Sequence, residues 1–279
     1  MEAYTDFASV YDIFMDDTPY KEWADFLEEL IETYGISKPV CPQRDDEKEP
    51  ERAENVLESE KNLVLDLGCG TGTLTELLSQ KGYDMIGVDN SQEMLNIALR
   101  KREETGSEIL YLCQDMRELD LYSTIGTVIS VCDSVNYLLD NEDVEDTFEL
   151  VNNYLYPGGL FIFDFNTLYK YETVIGDTTI AENREDCSFI WENYFHEDEA
   201  VNEYDLTIFA KEKGSQLFRR FTETHFQRGY TLAEMTGFVK KAGMELVLTL
   251  DADTHSAPTE TSERIYVIAR ECRKAKTNA

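Results

Sequence analysis

The chain has 279 residues, with 57 acidic and 25 basic side chains and a formal net charge of −32 at pH 7. This length fits one large domain or a domain with a substantial insertion, and a hydrophobic content of 42% is enough for a core. So much negative charge would repel phosphate groups over the whole surface, which argues against nucleic-acid and anionic-membrane partners. A cationic or neutral small substrate, or a basic protein, is easier to accommodate.

The six cysteines are scattered along the chain, without a C-x-x-C pair or a close Cys/His cluster. This pattern predicts reduced thiols, with neither a disulfide framework nor a metal site. The first residues lack an apolar signal core, and no apolar run approaches membrane-spanning length. We therefore expect a cytoplasmic protein.

Residues 1–37 are predicted to form an aromatic segment followed by a helix. From Trp23 to Tyr34, large apolar residues recur at helical spacing, and Gly35 ends the pattern. The aromatic residues before this stripe, Tyr11 among them, are either core or a lid over a ligand. Residues 38–62 differ in composition, since acids outnumber bases by eight to four between Arg44 and Lys61. They are predicted to form a solvated acidic linker.

The most informative stretch is LVLDLGCGTGTL, residues 63–74. Its first five residues are typical of a strand buried on both faces. Gly68, Gly70 and Gly72 follow, where the backbone can turn tightly and approach a ligand. The spacing departs from the dinucleotide fingerprint G-x-G-x-x-G, and Asp66 would repel a pyrophosphate. A cationic ligand suits this carboxylate better, while a nucleotide site and a glycine-rich packing turn stay open.

The following segments alternate between strands and helices. A strand over 84–88 ends at Asp89, whose carboxylate is placed to accept hydrogen bonds from two ribose hydroxyls. On the next helix, Met94 either contacts a ligand or packs in the core. Further strands are predicted over 108–113, 127–131 and 160–165, the last one after a turn at 156–159. Residues 63–170 and 228–273 then form one α/β domain with a doubly wound, mostly parallel seven-stranded sheet.

Residues 171–227 change period and are predicted to be an insertion of three or four antiparallel strands. Such a sheet could cover the mouth of the site, join two subunits as a homodimer, or do both. His196 and His225 fall within it. A lone strand histidine is more often a surface or satisfied core residue than a catalytic one.

Three stretches resemble a known family. The pattern D-L-G-C-G-T-G, from Asp66 to Gly72, resembles motif I of the class I S-adenosylmethionine-dependent methyltransferases. The patterns A-x-V-Y-D-x-F-M and P-Y-x-x-W at residues 8–23, with S-V-N-Y-L at 134–138, resemble a small-molecule subgroup that includes amino-sugar N-methyltransferases. The resemblance implies a Rossmann-like fold, with S-adenosylmethionine as cofactor and S-adenosylhomocysteine as its product. It is specific for the cofactor and weak for the substrate.

The resemblance also implies cofactor contacts. The glycine turn passes under the methionine part, the acid that ends the second strand binds the ribose, and the acid after the third strand accepts from the adenine amino group. The implied cofactor-binding residues are Tyr11, Trp23, Asp66, Gly68, Cys69, Gly70, Asp89, Asn90, Met94, Asp115, Met116 and Cys132.

The segment after the fourth strand is where this fold places substrate chemistry. It has no N-P-P-Y, D-P-P-Y or Pro-Cys motif, so methylation of adenine, amide nitrogen or cytosine is not indicated, and neither is a nucleophilic Cys132. Asp133, Tyr137 or Asp164 could take a proton or orient the substrate, and we select Asp133 and Tyr137 as candidate catalytic residues.

The leading hypothesis is a methyltransferase that acts on nitrogen or oxygen of a small molecule by in-line displacement. A protein methyltransferase with a basic partner is the second hypothesis, because the acidic surface could steer such a partner. The third is a dimeric cofactor-binding partner or sensor without catalysis. A nicotinamide dehydrogenase is the least favoured rival.

Overall fold

A computed structural model describes residues 7–40, 59–212 and 214–274 of the chain. Its helices are α1 (Ala8–Phe14), α2 (Tyr20–Tyr34), α3 (Thr73–Gln80), α4 (Gln92–Thr105), α5 (Asn141–Tyr154) and α6 (Leu232–Lys241). Its strands are β1 (Leu63–Leu67), β2 (Asp84–Asp89), β3 (Leu110–Cys113), β4 (Ile125–Ser130), β5 (Leu155–Asn166), β6 (Thr179–Asn183), β7 (Cys187–His196), β8 (Val201–Lys211), β9 (Phe218–Arg228), β10 (Met244–Asp251) and β11 (Arg264–Glu271). Two 3-10 helices, Met116–Glu118 and Ser134–Tyr137, and a π-helix, Lys170–Ile175, complete these elements.

The larger sheet has seven strands in the order β10-β11-β5-β4-β1-β2-β3. The pairs from β5 through β4, β1 and β2 to β3 are parallel, whereas β11 runs antiparallel to both β5 and β10. The predicted doubly wound, mostly parallel sheet is therefore confirmed. The strand order reverses between β1 and β4, and in such sheets ligands bind at this point, beyond the carboxyl ends of the strands.

Alternate residues of the central strands face two helical layers. In β1, Val64 belongs to the buried cluster that contains Leu27 of α2 and Leu78 of α3. Its neighbour Leu65 belongs to the cluster on the other face, with Phe148 of α5. β4 is buried along its whole length. Since both faces of the central strands are covered, their polar ends are held in fixed positions at the edge of the sheet.

β5 is longer than the sequence predicts. We expect a turn at 156–159 and a strand only from residue 160, but β5 already begins at Leu155. The pairing with β4 shifts between Ile125, opposite Leu155, and Thr127, opposite Leu160. The Tyr156-Pro157-Gly158-Gly159 segment is therefore an irregularity within the strand, and the positive φ of Gly158, 79°, belongs to it.

The inserted antiparallel sheet is also confirmed. Its four strands are ordered β6-β7-β8-β9, and each neighbouring pair is antiparallel. The division of the chain into domains at residues 37, 62, 170 and 227 stays a prediction. Most of the predicted acidic linker, residues 41–58, lies outside the described residues. In the described part of the chain, no helix is both long and apolar enough to span a membrane.

Candidate functional site

The glycine turn between β1 and α3 is folded onto the end of β2. The amides of Gly68 and Cys69 both donate to the carbonyl oxygen of Val88, at 2.8 and 3.0 Å. The amide of Gly70 donates to a carboxylate oxygen of Asp89 at 2.8 Å. These hydrogen bonds hold the turn in place, so the carboxyl ends of β1 and β2 are fixed next to each other.

Gly68 occupies a position that excludes a side chain. Its φ is +82°, and a Cβ atom there would lie 2.5 Å from Oγ and 2.7 Å from Cβ of Ser134. A left-handed conformation costs a residue with a side chain about 1–2 kcal/mol even without such an overlap. Ser134 begins the 3-10 helix after β4, so glycine permits the turn and that helix to approach each other closely.

Asp89 ends β2 and holds the backbone on both sides of the site. Its two carboxylate oxygens accept hydrogen bonds from the amides of Gly70 and Ser91, each at 2.8 Å. Burial raises the pKa of Asp89, and the amides of Ser91, Gly70 and Asn90 oppose that rise. A carboxylate has about four acceptor positions, so Asp89 can still accept a hydrogen bond from a hydroxyl group of a ligand.

Asp66 is a buried carboxyl group within β1, 2% exposed, and it accepts a hydrogen bond from Thr75 Oγ1 at 2.6 Å. Burial raises its pKa to about 7, the bond from Thr75 lowers it, and the charge of Asp89 raises it. A nearby cation would favour the ionised form.

These groups line one cleft. It contains about 1010 Å³ of space free of protein atoms, part of it open to solvent. Tyr11 of α1, together with Tyr20 and Trp23 of α2, contributes aromatic side chains to its lining. Aromatic faces and carboxylates both attract cations.

α1 is tied to the glycine turn by polar contacts. Thr71 Oγ1 donates to Asp12 Oδ1 at 2.6 Å, and Lys101 Nζ of α4 pairs with Asp12 Oδ2 at 2.7 Å. Lys101 also donates to Thr73 Oγ1 at 2.6 Å. The helix is therefore fastened to the same loop that forms the floor of the cleft.

The apolar side of α1 packs on the inserted sheet. Val10 forms a buried cluster with Leu206 and Ile208 of β8. The ring of Phe14 meets that of Phe189 of β7 edge-on, with centroids 4.9 Å apart. α1 therefore bridges the glycine turn and the inserted sheet, and we refer to α1 as the strap.

The chain turns sharply where β4 ends. Cys132 and Asp133 have φ values of 64° and 57°, an uncommon conformation for residues with side chains. The buried carboxylate of Asp164 in β5 accepts from both of their amides, at 3.1 Å from Cys132 and 2.8 Å from Asp133. Asp164 thus holds the turn, a structural task distinct from taking a proton.

Tyr137 is the candidate catalytic residue that faces the cleft. Its hydroxyl group lies 2.8 Å from that of Tyr204 and 3.0 Å from Nδ1 of His225.

Asp133 has different surroundings and does not line the cleft. Its carboxylate accepts a hydrogen bond from Asn166 Nδ2 at 2.8 Å. Burial raises the pKa of Asp133, the charge of Lys170 lowers it, and that of Asp164 raises it.

The structure brings together all the predicted cofactor residues except Asp115. The predicted residues that line the cleft are Tyr11, Trp23, Asp66, Gly68, Cys69, Gly70, Asp89, Asn90, Met94, Met116 and Cys132. Their contacts with the cofactor stay predictions. At Cys132, burial and the charges of Asp133 and Asp164 raise the pKa to about 12. A thiol of this kind is protonated at neutral pH, which agrees with a lining role.

Asp115 lies beside the cleft with its carboxylate engaged elsewhere. It accepts hydrogen bonds from the side chain and amide of Arg117, at 2.6 to 3.0 Å, and these lower its pKa. Its neighbours Gln114 and Met116 line the cleft. An adenine contact by Asp115 stays a prediction. The carboxylate of Asp115 would then accept hydrogen bonds from both Arg117 and the adenine amino group.

Several residues at the site were not among those predicted. Tyr20, Gln114 and Ser134 line the cleft. Tyr20 and Ser134 lie inside the motifs P-Y-x-x-W and S-V-N-Y-L, and Gln114 directly precedes Asp115. Arg264 was harder to find, because it begins the last strand with no motif around it. Its guanidinium lies 4.7 Å from the ring centre of Trp23 and 3.7 Å from Asp164 Oδ2.

Among the residues that the structure describes, no group of three or more His, Cys, Asp or Glu side chains is arranged to hold a metal ion.

Comparisons with known proteins agree on one class. A family model described as a methyltransferase domain matches residues 64–159. The protein YqeM of Bacillus subtilis, named as a methyltransferase, is 33% identical over 275 residues, which cover 98% of each chain. The chain belongs to the class I S-adenosylmethionine-dependent methyltransferases.

Solved structures support the same assignment. An S-adenosylmethionine-dependent methyltransferase from Clostridium acetobutylicum has a TM-score of 0.79 and 28% identity, covering 97% of this chain and 100% of that chain. CalS10 from Micromonospora echinaspora, an amino pentose methyltransferase solved with S-adenosylmethionine bound, has a TM-score of 0.68 at 17% identity. It covers 97% of this chain and 98% of that chain, and this likeness is one of fold.

S-adenosylmethionine is the cofactor, and the charge of the cleft lining suits it. The carboxylates of Asp66 and Asp89 and the three aromatic side chains suit a positively charged sulfur. Gly70 lines the cleft, and a Cβ atom there would meet no protein atom within 4 Å. The backbone is therefore open to a ligand at this point.

Proposed function

We propose that the chain transfers a methyl group from S-adenosylmethionine to a nitrogen or oxygen atom of a small molecule. One observation carries this proposal: Tyr137, whose side chain ends in a hydroxyl group, lines the same cleft as the glycine turn. A group that can orient an acceptor or accept its proton therefore lies close to the predicted cofactor contacts.

When bound, the cofactor supplies a methyl group on a positively charged sulfur, which a neutral nucleophile can attack in line. The tasks of the chain are to align the acceptor, exclude water and receive a proton. Tyr11, Tyr20 and Trp23 give the cleft aromatic walls, and Tyr137 offers a hydroxyl group to the acceptor.

The position of the strap favours a small acceptor. Its apolar side packs on β8, and the amide of Phe7, just before the strap, donates to Glu223 Oε1 of β9 at 2.9 Å. These contacts narrow the space between the α/β sheet and the inserted sheet, where a polypeptide substrate would need an open groove. The name of CalS10 gives an amino pentose as its substrate. We propose an acceptor of the same size class, a small amine or alcohol, for this chain.

The test is methyl transfer from labelled S-adenosylmethionine into a cell extract separated into metabolite and protein fractions. We expect label in the metabolite fraction. Label in the protein fraction alone would establish the protein methyltransferase hypothesis instead. Tight cofactor binding with no label in either fraction would establish a binding protein without catalysis.

Tyr137→Phe checks the residue that carries the proposal. The substitution removes one hydroxyl group, and we expect the transfer rate to fall roughly 100- to 10,000-fold, because a positioned proton-transfer group contributes on this scale. Affinity for S-adenosylhomocysteine should change little. Tyr122→Phe is the matched control, since Tyr122 is fully exposed, and it should keep the wild-type rate. An unchanged rate in Tyr137→Phe would remove Tyr137 from the reaction.

A further inference from the structure

β9 presents a row of buried polar side chains to the interior. Glu223, His225 and Gln227 occupy alternate positions of the strand and are 4%, 1% and 3% exposed. Alternate residues of a strand share one face. Tyr204 stands opposite His225 on β8, and its ring stacks on the imidazole with centroids 4.8 Å apart and planes 5° from parallel.

This row is connected to the cleft through one side chain. His225 Nδ1 lies 3.0 Å from the hydroxyl oxygen of Tyr137, which lines the cleft. The other ring nitrogen, Nε2, lies 3.4 Å from Glu223 Oε2. The imidazole therefore lies between the hydroxyl group of Tyr137, a residue that lines the cleft, and the carboxylate of Glu223.

The chemistry of these groups gives the contacts a direction. We assign the proton of a neutral His225 to Nε2, which faces Glu223 Oε2 at 3.4 Å, because an ionised carboxylate only accepts protons and hydrogen bonds. Nδ1 is then the acceptor for the Tyr137 hydroxyl group. Tyr137 in turn can accept from the Tyr204 hydroxyl group at 2.8 Å. A hydroxyl group, an imidazole and a carboxylate in this order can pass a proton away from a nucleophile.

We infer that His225 is a positioning residue that receives the proton of Tyr137 while Tyr137 receives one from the methyl acceptor. This inference rests on the proposed function. The acceptor atom uses its electron pair for the new bond to carbon and releases its N–H or O–H proton to the Tyr137 oxygen. The Tyr137 proton moves to His225 Nδ1, and the resulting imidazolium lies next to Glu223. His225 is fully buried, so it returns this proton to Tyr137 when Tyr137 releases one to water in the cleft.

Glu223 also links this relay to the strap. Its second carboxylate oxygen, Oε1, accepts a hydrogen bond from the amide of Phe7 at 2.9 Å. Titratable side chains that face the His225 ring include Tyr137 from the 3-10 helix, Tyr204 from β8 and Glu223 from β9 itself. The amide of Phe7 holds the Glu223 carboxylate in place behind the imidazole.

The protonation of His225 can be tested without any acceptor. The chain has three histidines, so NMR of protein labelled with ¹⁵N-histidine gives few signals, and His225→Gln assigns the one of interest. With S-adenosylhomocysteine bound, we expect the proton of His225 on Nε2 and none on Nδ1. Tyr137→Phe should move the Nδ1 signal, and Tyr122→Phe should leave it unchanged. A proton on Nδ1 at neutral pH would overturn the relay.

The second test follows label transfer into the metabolite fraction. His225→Gln keeps a similar size and should lower the rate about 100-fold, the lower end of the range for a positioned proton-transfer group, with unchanged cofactor affinity. A variant that keeps the wild-type rate would refute the inference. Absence of label from all metabolites would refute the proposed function, while the NMR result would still stand by itself.

Discussion

Asp66 is the residue at which the charge of the cofactor should be detected. Its carboxyl group is buried next to the glycine turn with a pKa of about 7, so about half of it is ionised at neutral pH. S-adenosylmethionine carries a positive sulfur, whereas the sulfur of S-adenosylhomocysteine is neutral. A cation favours the ionised carboxyl group, so it binds better where that group has already lost its proton.

We therefore predict that affinity for S-adenosylmethionine, relative to S-adenosylhomocysteine, rises with pH through about 7. The ratio should increase by up to about tenfold per pH unit below that value, because binding of the cation must then release one proton. Calorimetry between about pH 5.5 and about pH 8.5 measures both affinities. Asp66→Asn should abolish the pH dependence of the ratio. If the wild-type ratio is constant over this range, Asp66 does not respond to the cation.

Gly68 and Gly70 provide a matched pair for the cost of a side chain in the turn. Both have positive φ, but a Cβ atom at Gly68 meets Ser134, whereas one at Gly70 meets nothing within 4 Å. We predict that Gly68→Ala lowers the free energy of unfolding by about 1–3 kcal/mol more than Gly70→Ala. Urea denaturation without cofactor measures the difference. Equal losses in the two variants would mean that Ser134 moves aside at no cost.

Single residues also show how far sequence alone reaches. Asp66 and Asp89 could be identified because each belongs to a buried strand at a fixed distance from the glycine turn. The contact between Tyr137 and His225 could not be found in this way, since 88 residues separate them. The alternation of β9 predicts that Glu223 and His225 share a face, but it does not say which face is covered. Only the packing of the inserted sheet against the 3-10 helix settles that.

Among the elements, the strap depends most on its surroundings. It has seven residues, and helices this short are not stable alone in water. Its order must come from Val10 and Phe14 on one side and from Asp12 on the other. The strap should therefore be among the first elements to open, even while the seven-stranded sheet is fully folded.

Lys101→Met tests the polar side of this attachment. The ion pair with Asp12 is partly exposed, so its loss should cost up to about 1 kcal/mol, and amide hydrogen exchange in residues 8–14 should speed up by up to about fivefold. Arg100→Met is the control, because Arg100 is exposed one position earlier on α4. Exchange that is equally fast in the wild type and both variants would show that the apolar side alone holds the strap.

The elements themselves were largely predictable, with instructive exceptions. β1 has the predicted bounds because its apolar run is closed on one side by the glycine turn. β5 differs because Pro157, Gly158 and Gly159 are typical of a turn, whereas here they form an irregularity that the neighbouring strands tolerate. Local residue preferences predict the bend but not whether pairing resumes on both sides of it.

For the whole molecule, the open question with a direct test is self-association. The homodimer through the inserted sheet stays a prediction. Tyr194, Glu203 and Phe226 lie in register across β7, β8 and β9, and the two aromatic residues are 44% and 43% exposed. We predict a dimer in sedimentation experiments and a monomer for Tyr194→Glu, because a charge there would be buried in the interface. A monomeric wild type would contradict the prediction.

The strap also has a kinetic consequence. The glycine turn and the inserted sheet are both contacted by the seven residues of the strap. We predict that the products leave the cleft after the strap has detached from one of these two partners. We expect turnover at saturating substrate concentrations to slow in viscous solvent, because product release limits the rate and methyl transfer does not.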